Sequence, residues 1–224
     1  MKYDPNRHHR RSIRLKGYDY TQAGAYFVTI CTQHRQCLFG EILDTSLQLN
    51  SAGQMVAKWW GELSNKFPFI ETNEYVVMPN HFHGIIVIGD DLRNVGVERV
   101  NIQKADISKR PDIPKRADIH KRPDIQKRAD TQVCPYKDND NGNDGVRVGL
   151  FEIVQWFKTM TTNDYIRGVK QRGWTAFSGK LWQRNYYEHI IRNEESLEIL
   201  QEYIVNNPCS WQEDSLHPNN PSKW

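Results

Sequence analysis

Two kinds of hydrophobic pattern alternate along the 224-residue chain: dense β-branched and aromatic runs, and stretches in which apolar residues recur every three or four positions. Tyr26 to Thr32 (YFVTICT) follows Gly24 and is rich in β-formers, which predicts a strand, with Cys37 to Ile42 (CLFGEI) as a second. Between Ser51 and Lys66, the residues Ala52, Met55, Val56, Trp59 and Leu63 lie at helical spacing and predict an amphipathic helix. Glu74 to Met78 and His81 to Ile88 predict two strands joined by a bend at Pro79-Asn80. Leu150, Ile153, Val154, Phe157 and Met160 then mark one face of a second helix. Leu181 to Ile191 predicts a further strand, and Ser196 to Asn207 a last helix ended by Pro208. Strand, helix, two strands, helix, strand, helix is an α+β order, satisfied by a ferredoxin-like (RRM-like) antiparallel sheet with helices on one face.

The middle of the chain breaks this pattern. Residues 105–128 are four tandem six-residue units, ADISKR, PDIPKR, ADIHKR and PDIQKR. A six-residue period gives the isoleucines no common helical face, and Pro111, Pro114 and Pro123 exclude helix interiors. Residues 91–146 therefore read as a disordered repeat-containing insert without a catalytic role. The expected organisation is a basic arm (1–16), one folded domain split between 17–90 and 147–212, and a C-terminal tail (213–224).

Charge sharpens this division. The formal net charge is +3, yet residues 1–16 carry six basic side chains against Asp4 alone, and each repeat unit adds one positive charge. The remainder of the chain is thus acidic, and positive charge is concentrated in two segments, the usual footprint of nucleic-acid binding. Cys31, Cys37, Cys134 and Cys209 form no CxxC pair, the N-terminus is basic rather than apolar, and no run approaches the ~20 apolar residues of a membrane span. A reduced, cytoplasmic, nucleoid-associated protein without membrane contact is expected.

Two strings carry candidate chemistry. In Val77-Met78-Pro79-Asn80-His81-Phe82-His83, strand alternation projects His81 and His83 from one face while Phe82 points to the core, and Gly84 leaves room for a backbone or substrate to approach. The same spacing also fits two polar residues on a solvent-facing strand. On the last helix, Tyr203 and Asn207 are stacked four residues apart, on the shoulder of the stripe Leu197, Leu200, Ile204. Pro208 disfavours helical geometry at Asn207, so its amide is expected in a loosened last turn. An amphipathic tyrosine beside a helix stop fits that string equally. Taken together, two imidazoles and an amide oxygen can hold a divalent ion with open positions for a phosphodiester oxygen. A tyrosine hydroxyl in line can attack phosphorus and conserve the bond energy as an aryl phosphate.

Four stretches, Ser12 to Thr32 (SIRLKGYDYTQAGAYFVTICT), VMPNHFHGIIVI, LWQRNYYEHIIRNEES and YIVNNP, occur here in one order. In them the chain resembles the REP-associated tyrosine transposases and related single-tyrosine insertion-sequence transposases, over nearly its whole length apart from the insert. The resemblance implies the HUH endonuclease fold, metal ligation by His81 and His83, Asn207 as third ligand, and Tyr203 as nucleophile. It implies cleavage and strand transfer of single-stranded DNA at hairpin-bearing sites through a covalent 5′-phosphotyrosine, with Mg²⁺ or Mn²⁺. Such proteins act as a monomer or a homodimer. A non-catalytic nucleic-acid-binding module of the same fold, and a metal-dependent hydrolase using water, are the alternatives.

Tyr186 and Tyr187 are rival nucleophiles without a partner spaced like Asn207. Trp182, Arg184 and His189 read as packing or DNA-contact residues. Arg10, Arg11, Arg14 and Lys16 of the arm, with Lys158 and Arg184, are the candidate DNA-binding residues, neutralising phosphates in a salt-dependent way.

Overall fold

The computed structural model describes Arg14, Leu15 and residues 17–89 and 148–220, all within the unit formed by Arg14–Gly96 and Asp144–Trp224. The repeat insert and the arm residues Arg10, Arg11 and Lys16 lie outside the described residues. Four strands, β1 (Gly24–Cys31), β4 (Ile70–Val77), β5 (His81–Ile88) and β6 (Tyr187–Ile191), form one antiparallel sheet in the order β4-β5-β1-β6. With α1 (Ser51–Gly61) after β1 and α3 (Leu150–Arg172) after β5, this is the split βαββαβ arrangement expected for a ferredoxin-like fold.

Alternation sorts the strand residues onto two faces. Tyr26, Val28, Ile30, Phe82 and Ile86 join Val56, Trp60, Ile153 and Phe157 of α1 and α3 in the larger core. The other face is also covered. Met78, Ile85 and Ile191 pack there with Ile204 and Trp211, with Leu197 and Leu200 against the edge. These residues bring α4 (Glu194–Asn206) across the sheet opposite α1 and α3. The helix begins at Asn193, whose side chain accepts from Ser196 N. That contact supplies one of the amide partners a helix start lacks, for about 1 kcal/mol.

Several boundaries differ from the sequence expectation. The helix expected over Ser51 to Lys66 is α1 plus a separate turn, α2 (Leu63–Lys66). Of Leu181 to Ile191 only Tyr187–Ile191 joins the sheet, because Trp182 instead bridges Thr32 and is held by Thr161 through its indole N–H at 2.8 Å. The strand near Cys37 is β2 (Gly40–Leu43), which pairs with β3 (Ser46–Leu49) in a separate hairpin. Asp44 and Thr45, both at positive φ, make its turn. The second helix runs on to Arg172, ending at Gly173 with φ 69°. Asn207 keeps helical dihedrals (φ −57°, ψ −43°) rather than loosening, since the chain passes directly into a 3-10 turn, Pro208–Glu213, which tolerates proline at its start. No helix among the described residues is long and apolar enough to cross a membrane.

Gly84 serves the core, not a substrate. It shares the face of Phe82, and a Cβ there would stand 2.6 Å from the Trp60 indole. Gly84→Ala is expected to lower the free energy of unfolding by about 1–3 kcal/mol through overpacking. Urea titration checks this, and a midpoint equal to wild type would contradict it.

Candidate active site

His81 and His83 project from the α4 face of β5, with ring centroids 4.6 Å apart and exposures of 0% and 3%. The β1–β5 register sets Thr29 opposite His83, and the Thr29 hydroxyl meets His83 Nδ1 at 2.8 Å. His81 Nδ1 lies 2.8 Å from Asn80 Oδ1. Phe27 stacks on His83, 5.2 Å between centroids, and also meets Tyr203 edge-on.

α4 brings the tyrosine to the same place. The Tyr203 hydroxyl is 3.5 Å from His83 Nε2, a long contact, and its side chain is still 37% exposed. One helical turn later Asn207 is buried, and its Oδ1 has no hydrogen-bond partner. That oxygen is placed to accept from a protonated His81, which partly offsets the effect of burial on this ring. The three residues Tyr203, His81 and His83, distant in sequence, are thus gathered on one sheet face with Asn207 beside them.

Asp214 has no counterpart in the sequence expectations. The chain leaving the 3-10 turn carries it back to the histidines, where Oδ2 is 3.6 Å from His81 Nε2. One ligand atom each from His81, His83 and Asp214 lie within 4.8 Å of one another. The Glu213-Asp214 pair in WQEDSLHP carries no spacing signal, because the segment that positions Asp214 is irregular.

The donor set fits a cation. Burial drives the His81 pKa well below 6.5, with His83 adding to the effect, and burial takes His83 down to about 3. Both rings are therefore neutral at pH 7. His81 Nε2 is buried without a partner and faces a carboxylate, so two acceptors oppose each other in a space with little water. A divalent ion relieves this juxtaposition, and nitrogen plus oxygen ligands suit it.

Of the basic candidates, Lys158 stands on α3, on the sheet face opposite the histidines, and Arg14 reaches β6. Lys158 Nζ donates hydrogen bonds to the backbone oxygens of Gln183 and Arg184, at 2.7 and 3.0 Å, and burial with nearby Arg14 and Lys180 lowers its pKa to about 8. Arg14 pairs with Glu188 and stacks over the Tyr186 ring at 3.8 Å. Arg184 is exposed. Gln183 N donates to Cys31 O, at the end of β1 that pairs with His81. Tyr186 is buried at 4% exposure with its pKa pushed up by burial, an environment that opposes a phenolate. Among the described cysteines, Cys31, Cys37 and Cys209 are free thiols.

The neutral histidines make stability depend on pH. In the unfolded chain each ring takes a proton near pH 6.5, whereas in the folded chain His83 does so only near 3. Their contribution is therefore fully present above pH 6.5 and is lost as pH falls toward the folded values, by at most about 1.4 kcal/mol per pH unit per ring. In chelator, unfolding free energy from urea titrations is expected to fall between pH 6.5 and 5, less steeply in His83→Asn. Equal slopes in the two proteins would contradict this.

No family model matches the chain. Among solved structures it is similar to a REP-associated tyrosine transposase bound to a REP hairpin, with a TM-score of 0.46 and 16% identity, covering 94% of this chain and 90% of that one. It is also similar to a candidate transposase from Deinococcus radiodurans R1, with a TM-score of 0.38 and 13% identity, covering 86% of this chain and 95% of that one. A Haemophilus influenzae protein described as uncharacterized is 36% identical over 219 residues, covering 96% of this chain and 97% of its own length. Identity of that extent along both chains places this protein in one family with the Haemophilus influenzae protein.

Proposed function

We propose that this chain is a DNA transposase of the REP-associated, single-tyrosine HUH kind, cutting and rejoining single-stranded DNA at hairpin-bearing sites. The observation that carries the reading is the convergence of the Tyr203 hydroxyl, 3.5 Å from His83 Nε2, with His81 and Asp214 on one sheet face. A non-catalytic module has no use for buried, mutually opposed acceptors beside a half-exposed phenol. A hydrolase working with water leaves Tyr203 without a task.

His81 and His83, with oxygens from Asn207 and Asp214, would hold Mg²⁺ or Mn²⁺, which supplies positive charge to a phosphodiester oxygen during displacement. Tyr203 Oη attacks phosphorus, the Tyr203–phosphate bond forms and the P–O3′ bond breaks. The phenol proton leaves and the departing 3′-oxygen gains one, so the products are a 5′-phosphotyrosine and a free 3′-hydroxyl. Attack by a 3′-hydroxyl on the phosphotyrosine reverses the step and releases Tyr203, with no ATP consumed. The partial exposure of Tyr203 leaves a path for the strand, while burial of the histidines excludes competing water.

Lys158, Arg184 and Arg14 are proposed to receive the phosphate backbone, as are Arg10, Arg11 and Lys16 of the arm. Lys158 and Arg14 are partly committed to protein partners, so their main part is to shape the 183–188 segment as a basic border. Monomeric and homodimeric action are both compatible with this site.

Incubation with a labelled single-stranded hairpin oligonucleotide and Mg²⁺ or Mn²⁺ is expected to give a covalent protein–DNA adduct on denaturing gels. Tyr203→Phe should reduce it by at least on the order of 1000-fold, and chelator should abolish it. Cleavage that persists in Tyr203→Phe would favour the water-using hydrolase, and binding without adduct in wild type would favour the module.

A further inference from the structure

Asn80 is 1% exposed, sits in the bend before β5, and uses its whole amide. Its Nδ2 donates to two backbone carbonyls, Leu216 O at 2.8 Å and Arg35 O at 3.2 Å. Those two acceptors fix the orientation of the amide, since a flipped group would set oxygen against oxygen twice. Oδ1 must then face His81 Nδ1, 2.8 Å away, and an oxygen there accepts only from N–H. His81 Nδ1 therefore carries a proton, which leaves Nε2 as the nitrogen turned toward Asp214 and available as a ligand. The same side chain grips Leu216, whose own N–H donates to Asp214 Oδ1 at 2.7 Å. Asp214 O in turn accepts from Asn220 Nδ2, also at 2.7 Å, which closes the turn.

We propose that Asn80 is a positioning residue for the cation site, fixing the His81 tautomer with its oxygen and holding the Asp214–Leu216 turn with its nitrogen. One buried amide thereby sets two ligand groups that lie far apart in the chain. The assignment rests on the reading of His81 as a ligand under the proposed function. It extends that reading, because an apolar or smaller residue at position 80 would leave the first coordination groups chemically intact yet wrongly presented.

The test uses full-length protein, with Mn²⁺ as the probe. In the chelated wild type, long-range ¹⁵N NMR of the histidines is expected to show His81 in the Nδ1–H form, and calorimetry gives the Mn²⁺ affinity. Asn80→Ala should mix the His81 tautomers and weaken Mn²⁺ binding about 10–100-fold. Asn80→Asp retains an acceptor for Nδ1–H and loses the donor to Leu216, so it should keep the tautomer while hydrogen exchange rises at the Leu216 and His217 amides. Asn80→Ala with an unchanged tautomer and an affinity within twofold of wild type would overturn the proposal. So would Asn80→Asp with unchanged exchange, a result that remains readable if the alanine variant does not fold. A wild type that forms no DNA adduct, combined with these losses in the variants, would support the role of Asn80 while defeating the phosphoryl-transfer reading.

Discussion

An unprotonated imidazole nitrogen and a carboxylate oxygen repel when they face each other away from water, and at His81 Nε2 and Asp214 Oδ2 they stand 3.6 Å apart. Leaving a single buried polar group unpaired costs about 1–3 kcal/mol in proteins, against a net stability of roughly 5–15 kcal/mol for a whole domain. His81 Nε2 and Asn207 Oδ1 are both buried in this way. In the proposed function a divalent ion turns that liability into a binding site, and the position of Tyr203 beside it becomes intelligible. The rest of the molecule can be viewed as what it takes to hold these acceptors together.

The fold meets that demand with ordinary parity and register. β5 is an inner strand with α1 and α3 on one face and α4 on the other, and alternation sends Phe82 to Trp60 and Phe157 while His81 and His83 go to the opposite side. The β1 register brings Thr29 to His83, and the bend residue Asn80 reaches His81. A sheet with helices on one face only would leave these groups wet. α4 closes the other face through Leu197, Leu200 and Ile204 and delivers Tyr203 on its shoulder and Asn207 at its end.

Much of this was legible in the residues. Strong period-2 and period-3.6 segments, such as His81–Ile88 and the Leu150 helix, carry their own structural instructions, and they yielded the strand order's raw material and the face shared by the histidines. The Tyr203 shoulder position followed from the Leu197, Leu200, Ile204 stripe alone. Where long-range contacts decide, local pattern misled. Leu181 to Tyr186 look like strand but are drawn off by the Thr32 bridge and by Lys158, and the space beside Gly84 belongs to the Trp60 indole of another element, a contact no periodicity could reveal. Asp214 is the clearest case: it lies in an irregular segment that meets Asn80 only through Leu216 O, so neither residue has a sequence signature beyond its own identity. The similarity of the Asn80 bend to a simple turn concealed that its side chain, more than its backbone, is the structural element.

The central claim is that His81, His83 and the neighbouring oxygens surround one cation. Anomalous scattering from crystals grown with Mn²⁺ tests it most directly. The account predicts a single strong peak ~2 Å from a ring nitrogen of each histidine, with Asp214 or Asn207 oxygen in the same shell and the Tyr203 hydroxyl on its open side. A peak elsewhere, or none at saturating Mn²⁺ with the two rings still turned toward Asp214, would contradict it.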